Sequence, residues 1–188
     1  MAELLLFHHA HGLTPGCISF ADDLRAAGHV VHTPDLFDGK TFTELLDGLA
    51  YADRIGFERI IERGRLIAEG LPEEIIYAGF SLGVMPAQML AQMRPGAKAA
   101  LFFHATIPTS EFGGPWPDGV PLQIHTMEAD ELGDLDVARD LAETTESVEL
   151  FLYPGNRHLF ADNSLEDFDE VSATLLEQRV LGFLESID

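Results

Sequence analysis

The chain is poor in cysteine and in basic residues. Among 188 residues there is one cysteine, Cys17, and 11 Lys and Arg stand against 32 Asp and Glu, for a formal charge of −21. A single cysteine excludes an internal disulfide. The acidic balance argues against nucleic-acid partners, whose phosphates need clustered Lys and Arg, and against anionic membrane surfaces. No apolar run approaches the length of a membrane span, and the N-terminus lacks the basic flank, long apolar core and cleavage site of a secretory signal. A soluble, cytoplasmic protein is the expectation, its acidic surface reporting solubility. No Pro/Gly/Ser-rich linker, repeat or low-complexity tract divides the chain. With 46% hydrophobic residues, 1–188 is expected to form a single domain.

What is present is an alternation of short apolar runs and helical patterns. Apolar runs occur at Glu3–His8, His29–Thr33, Ile75–Ala78, Ala97–His104, Leu122–Met127 and Ser147–Tyr153. Helical spacing fits Ile18–Ala27, a region from Glu44 to about Glu69 interrupted by Gly48, Gly56 and Gly64, then Val84–Met93, Leu135–Thr144 and Phe168–Ser186. Thr43 and Asp134 are candidate helix caps. Strands alternating with helices predict an α/β fold, a parallel sheet of about six strands with helices on both faces and no lid domain. In such sheets the site lies beyond the carboxyl ends of the strands.

That rule selects residues. Gly79-Phe80-Ser81-Leu82-Gly83 follows one strand and opens a helix, the context of a nucleophile elbow. The pattern alone would arise by chance in about one shuffled chain in twenty, so its context carries the reading. After other strands come His9, His11, Gly12 and Leu13; His104; Glu128 and Asp130; and Asn156, Arg157 and His158. Ser81, Asp130, His158 is the Ser…Asp…His order of α/β-hydrolases. A serine hydroxyl needs an imidazole to remove its proton, and the imidazole needs a carboxylate to fix its tautomer. Glu128 and Asp134 compete with Asp130 for that role; Asp134 also fits a helix cap, and Glu128 lies nearer the strand end. Oxyanion donors are expected from the backbone N–H of Leu82 and of Gly12 or Leu13.

The chain resembles a small member of the dienelactone hydrolase family over nearly its whole length. The resemblance is carried by His8-His9-Ala10-His11-Gly12-Leu13, Thr33-Pro34-Asp35-Leu36-Phe37, Gly79–Gly83 and, most specifically, Tyr153-Pro154-Gly155-Asn156-Arg157-His158-Leu159-Phe160. It implies a compact α/β-hydrolase fold with Ser81 as nucleophile, Asp130 as acid and His158 as base. The best-known members carry cysteine where this chain has Ser81, a glutamate where it has His9-Ala10-His11, and a substrate-binding arginine where it has Asp162.

The expected activity is therefore that of a cofactor-free serine hydrolase, a serine esterase cleaving a small carboxylic ester or lactone through an acyl-enzyme. The alternatives are a thioesterase or acyltransferase using the same triad, and a non-catalytic binding protein of the same fold. His9, His11, His104 and Trp116 are candidate pocket residues, although satisfied burial suits His104 and a hydrophobic plug suits Trp116 equally. His9 and His11 lack the acidic or cysteine partners of a zinc site, so no metal is expected. His29, His32 and His125 are read as structural, Arg157 as a surface ion pair and Cys17 as a small packed residue. Monomer and homodimer remain open.

Overall fold

The computed structural model describes residues 1–187. Its strands are β1 (Glu3–Phe7), β2 (Val30–His32), β3 (Ile76–Phe80), β4 (Ala99–Phe103), β5 (Leu122–Met127) and β6 (Val148–Tyr153). They form one sheet in the order β2-β1-β3-β4-β5-β6, with every pairing parallel. The helices are α1 (Pro15–Ala26), α2 (Leu45–Ile55), α3 (Phe57–Glu69), α4 (Val84–Met93), α5 (Leu135–Thr144) and α6 (Glu170–Ser186).

Side chains of a strand alternate between faces, so one apolar run can feed two cores. Leu5, Phe7, Tyr77, Ala100, Phe102, Leu122 and Ile124 pack with α2, α3, α4 and α5. Their neighbours Leu4, Leu6, Ile76, Ala78, Phe80, Leu101 and Phe103 pack with α1 and α6. Each fully buried Leu or Phe contributes about 1.5–3 kcal/mol. This is the α/β sheet covered on both faces that the alternation predicts.

Helix boundaries differ from the sequence reading in informative ways. Helix α1 starts at Pro15, because Thr14 caps it by accepting from the Cys17 N–H and proline suits the first helical turn. Asp134 occupies the N-cap position of α5 in a left-handed conformation without a side-chain capping bond. Of three glycines read as interruptions, Gly56 alone breaks the helix, at φ +92. Gly48 and Gly64 lie inside α2 and α3 for close approach: a Cβ at Gly48 would overlap the Ala10 carbonyl oxygen, and one at Gly64 would lie 2.5 Å from Pro86 Cβ.

Candidate active site

Ser81 follows β3 directly and has φ +48, a conformation that costs a non-glycine residue energy and persists where packing enforces it. The flanking glycines supply that packing. A Cβ at Gly79 would overlap the Gly83 carbonyl, and one at Gly83 would overlap the Phe7 carbonyl oxygen at the end of β1. The elbow is thus wedged against the central strands.

His158 comes from the loop after β6 and lies 7% exposed. Its Nδ1 is 2.8 Å from Asp130 Oδ2, and its Nε2 is 2.7 Å from Ser81 Oγ. A carboxylate only accepts, so Nδ1 carries the proton and the Nε2 lone pair faces the serine hydroxyl. Asp130 is also buried; its other oxygen accepts from the Leu132 N–H at 2.9 Å, and Gly133 leaves room beside the carboxylate. Glu128 is exposed, and the carboxylate beside His158 is that of Asp130.

The loop after β1 is held by its own histidines. His8 Nδ1–H donates to the His9 carbonyl at 2.8 Å, and its Nε2 accepts from the Leu36 N–H at 2.9 Å. His11 Nδ1–H donates to the Phe42 carbonyl at 2.8 Å, while the Phe42 N–H donates back to the His11 carbonyl. His9 Nδ1 accepts from the His11 N–H at 3.2 Å, so its proton sits on Nε2, which donates to Asp162 Oδ2 at 2.7 Å. Burial pushes His8 down to about 4; burial likewise lowers His9, with Asp162 pulling the other way.

This splinting engages one of the amides expected at the oxyanion hole. The Gly12 N–H is already donated to the His9 carbonyl at 3.0 Å. Two residues earlier, Ala10 is fully buried and its N–H has no acceptor among the described residues. The Leu82 N–H lies in the first turn after the elbow, where amides lack intrahelical acceptors.

The four candidate pocket residues separate. His11 lines an open cavity of about 490 Å³ with Thr14, Phe42, Glu44 and the 164–167 loop. His9 is fully buried and is not part of that lining. His104, at φ +69, is fully buried against Phe160 and Phe80 with both ring nitrogens unpartnered among the described residues, and burial holds it far below its ordinary value. Trp116 is a plug: its ring packs on Phe102 and its Nε1–H donates to the Val120 carbonyl at 2.8 Å. His125 is structural as read, bonded to Tyr153 Oη at 2.8 Å and lowered by burial to about 3.

One grouping was missed, because its members are 145 and 153 residues apart. His9, Cys17 and Asp162 place one donor atom each within 4.8 Å of the others, and all three are buried. This cysteine–histidine–aspartate cluster corrects the expectation of a serine esterase, a serine hydrolase cleaving a carboxylic ester or lactone through an acyl-enzyme. A thiol also stands beside an imidazole and a carboxylate, so the arrangement does not single out serine ester chemistry. Burial pushes the Cys17 thiol up to about 12. As metal ligands the three would need the Nε2 lone pair of His9, a position occupied by a proton while Nδ1 accepts from His11. Among the described residues no helix is long and apolar enough to cross a membrane.

Comparison with known proteins agrees with this architecture. The chain superposes on a dienelactone hydrolase-like promiscuous phosphotriesterase from metagenomic libraries (TM-score 0.72, 14% identity, covering 100% of this chain and 87% of that one). It also superposes on the alpha/beta hydrolase domain-containing protein 10 from mouse (0.70, 13%, 99% and 90%) and the thioesterase domain from the curacin biosynthetic pathway (0.64, 14%, 95% and 90%). At such identities these likenesses establish the fold. No curated protein matches the sequence. The profile of the dienelactone hydrolase family, however, matches residues 3–187, and the chain belongs to that family.

Proposed function

We propose that the chain is an acyl-transfer enzyme that draws its acyl group from a thioester, a thioesterase or acyltransferase, with Ser81 as nucleophile, His158 as base and Asp130 as its orienting carboxylate. The observation that carries this reading is the continuous path from Ser81 Oγ through His158 to Asp130, at 2.7 and 2.8 Å, on a strained strand-to-helix turn. Family and fold support hydrolase chemistry at ester-type bonds. A thiol leaving group, of pKa about 8.5, departs with less protonation than an alkoxide, which suits a single neutral imidazole. A thioesterase domain among the structural neighbours points the same way.

In this mechanism His158 Nε2 takes the Ser81 proton as Oγ attacks the thioester carbonyl. The N–H groups of Leu82 and Ala10 receive the oxyanion, each donor contributing about 10²–10³ in rate. Collapse expels the thiolate, which takes the proton from His158. Water or an acceptor hydroxyl then attacks the acyl-serine, with the same imidazole as base.

The Cys17 cluster favours a second reading, a cysteine-nucleophile hydrolase. Against it stand the burial of the thiol and the Nε2 proton of His9, which leaves no imidazole lone pair facing Cys17 among the described residues. A panel of acyl thioesters, with and without competing alcohols, tests both readings on Ser81→Ala and Cys17→Ala. The proposal expects no turnover by the first and near wild-type turnover by the second. The reverse pattern would establish the cysteine, and retained turnover in Ser81→Ala would end the serine reading.

A further inference from the structure

Asp162 lies four residues after His158 in the same loop and is 2% exposed, yet among the described residues no Lys or Arg pairs with it. Five donors meet its carboxylate instead. Oδ2 accepts from His9 Nε2 at 2.7 Å and from Thr14 Oγ1, with Cys17 Sγ at 3.8 Å. Oδ1 accepts from the Ser164 N–H at 2.8 Å and from Ser164 Oγ at 2.6 Å. The group also presses on the first turn of α1, where a Cβ at Gly16 would overlap Oδ1, and the helix dipole there favours an anion. Burial alone would raise this carboxyl, but the hydrogen bonds from His9, Ser164 and Thr14 more than offset it and hold it ionised.

These contacts tie together the two loops that the chemistry requires. His9 and Thr14 bracket Ala10 in the loop after β1, whereas Asp162 and Ser164 continue the loop that carries His158. Gly48 lets α2 press on the Ala10 carbonyl from the opposite side. We propose that Asp162 is a positioning residue that, through His9, fixes the Ala10 amide relative to His158 and Ser81; this inference rests on the acyl-transfer reading above.

The donor set explains why a carboxylate is needed. All five groups donate, so asparagine at 162 would turn an N–H toward either the His9 and Thr14 side or the Ser164 side. His9 cannot adapt by changing tautomer, because its Nδ1 is committed to the His11 N–H. The cluster therefore cannot relax around an amide without releasing one of the two loops.

The test is Asp162→Asn, assayed as kcat and KM on the best thioester of the panel and as the labelling rate of Ser81 by a fluorophosphonate. Expected is a loss in kcat of about 10- to 100-fold, the usual range for residues that orient functional groups, with KM changed less than about threefold and labelling slowed in parallel. His9→Asn keeps an acceptor for His11 but cannot reach Asp162, while His9→Gln restores a donor at the Nε2 position. His9→Gln should recover at least about fivefold in kcat over His9→Asn, and Asp162→Asn combined with His9→Asn should be no worse than either alone. An Asp162→Asn enzyme with kcat within about twofold of wild type, or effects that multiply in the double variant, would overturn the proposal. If Asp162→Asn does not fold, equal losses in the two His9 variants overturn it instead. Wild type inert toward every thioester and the probe would refute the functional reading itself, an outcome distinct from an active wild type with a neutral Asp162→Asn.

Discussion

Acidification from pH 7.5 to 5 is expected to remove about 4 kcal/mol of stability through two histidines outside the Ser81, His158 and Asp130 set. His8 and His125 are buried as neutral rings, with protonation pushed down to about 4 and about 3 from an ordinary 6.5. Between those limits the unfolded chain binds a proton that the folded protein refuses, so unfolding takes up protons and stability falls as pH falls. At pH 5 an unfolded histidine is almost fully protonated and either folded ring almost wholly neutral, which gives about 2 kcal/mol per site. His9 and His104 are lowered too and add to the loss; Glu177, raised by burial and by Asp23, opposes it weakly. Against a total of about 5–15 kcal/mol for a typical domain, this is a large fraction. Urea unfolding at pH 7.5, 6 and 5, extrapolated to water, measures the loss directly. In His125→Gln the decline between pH 7.5 and 5 should shrink by about 2 kcal/mol, since the variant has nothing to protonate there. Equal stability at the two extremes, or an unchanged decline in the variant, would refute the reasoning.

Two further outcomes are expected. Trp116→Ala should cost about 3–5 kcal/mol in thermal or urea unfolding while leaving the labelling rate of Ser81 unchanged, because the indole fills a space against Phe102 on the far side of the sheet from α1. Gly48→Ala should cost about 1–3 kcal/mol and lower kcat as well, because its methyl would force α2 and the Ala10 carbonyl apart; stability loss with intact kcat would separate that loop from catalysis.

The sheet was legible because its strands, covered on both faces, read as short apolar runs and their order along the chain alternates with helical patterns. The set Ser81, Asp130 and His158 could be named because parallel strands bring their carboxyl ends to one edge, whatever the sequence distance. Asp162 was not legible. Its meaning comes from His9, 153 residues away, and no periodicity relates the two. Glycines misled for a different reason: Gly56 marks a backbone that turns, whereas Gly48 and Gly64 mark places where another segment comes too close for a side chain, and one letter encodes both. The Gly12 amide, expected as an oxyanion donor, is donated within the turn to the His9 carbonyl, a contact no sequence pattern announces.

The histidines of the loop after β1 carry a consequence for how this protein can vary. A neutral imidazole offers one donor and one acceptor on opposite edges of a rigid ring, and His8 and His9 use both edges. An amide side chain presents its donor and acceptor from a single end, so neither Asn nor Gln can span the same two partners. Substitution of His9 by either amide therefore keeps at most one of its two contacts, Asn the acceptor for His11 and Gln the donor to Asp162. The loop after β1 is thus held in composition by its scaffold, whereas Thr41, Thr43 and Glu44, which line the open cavity beside His11, are not bound by these histidine contacts.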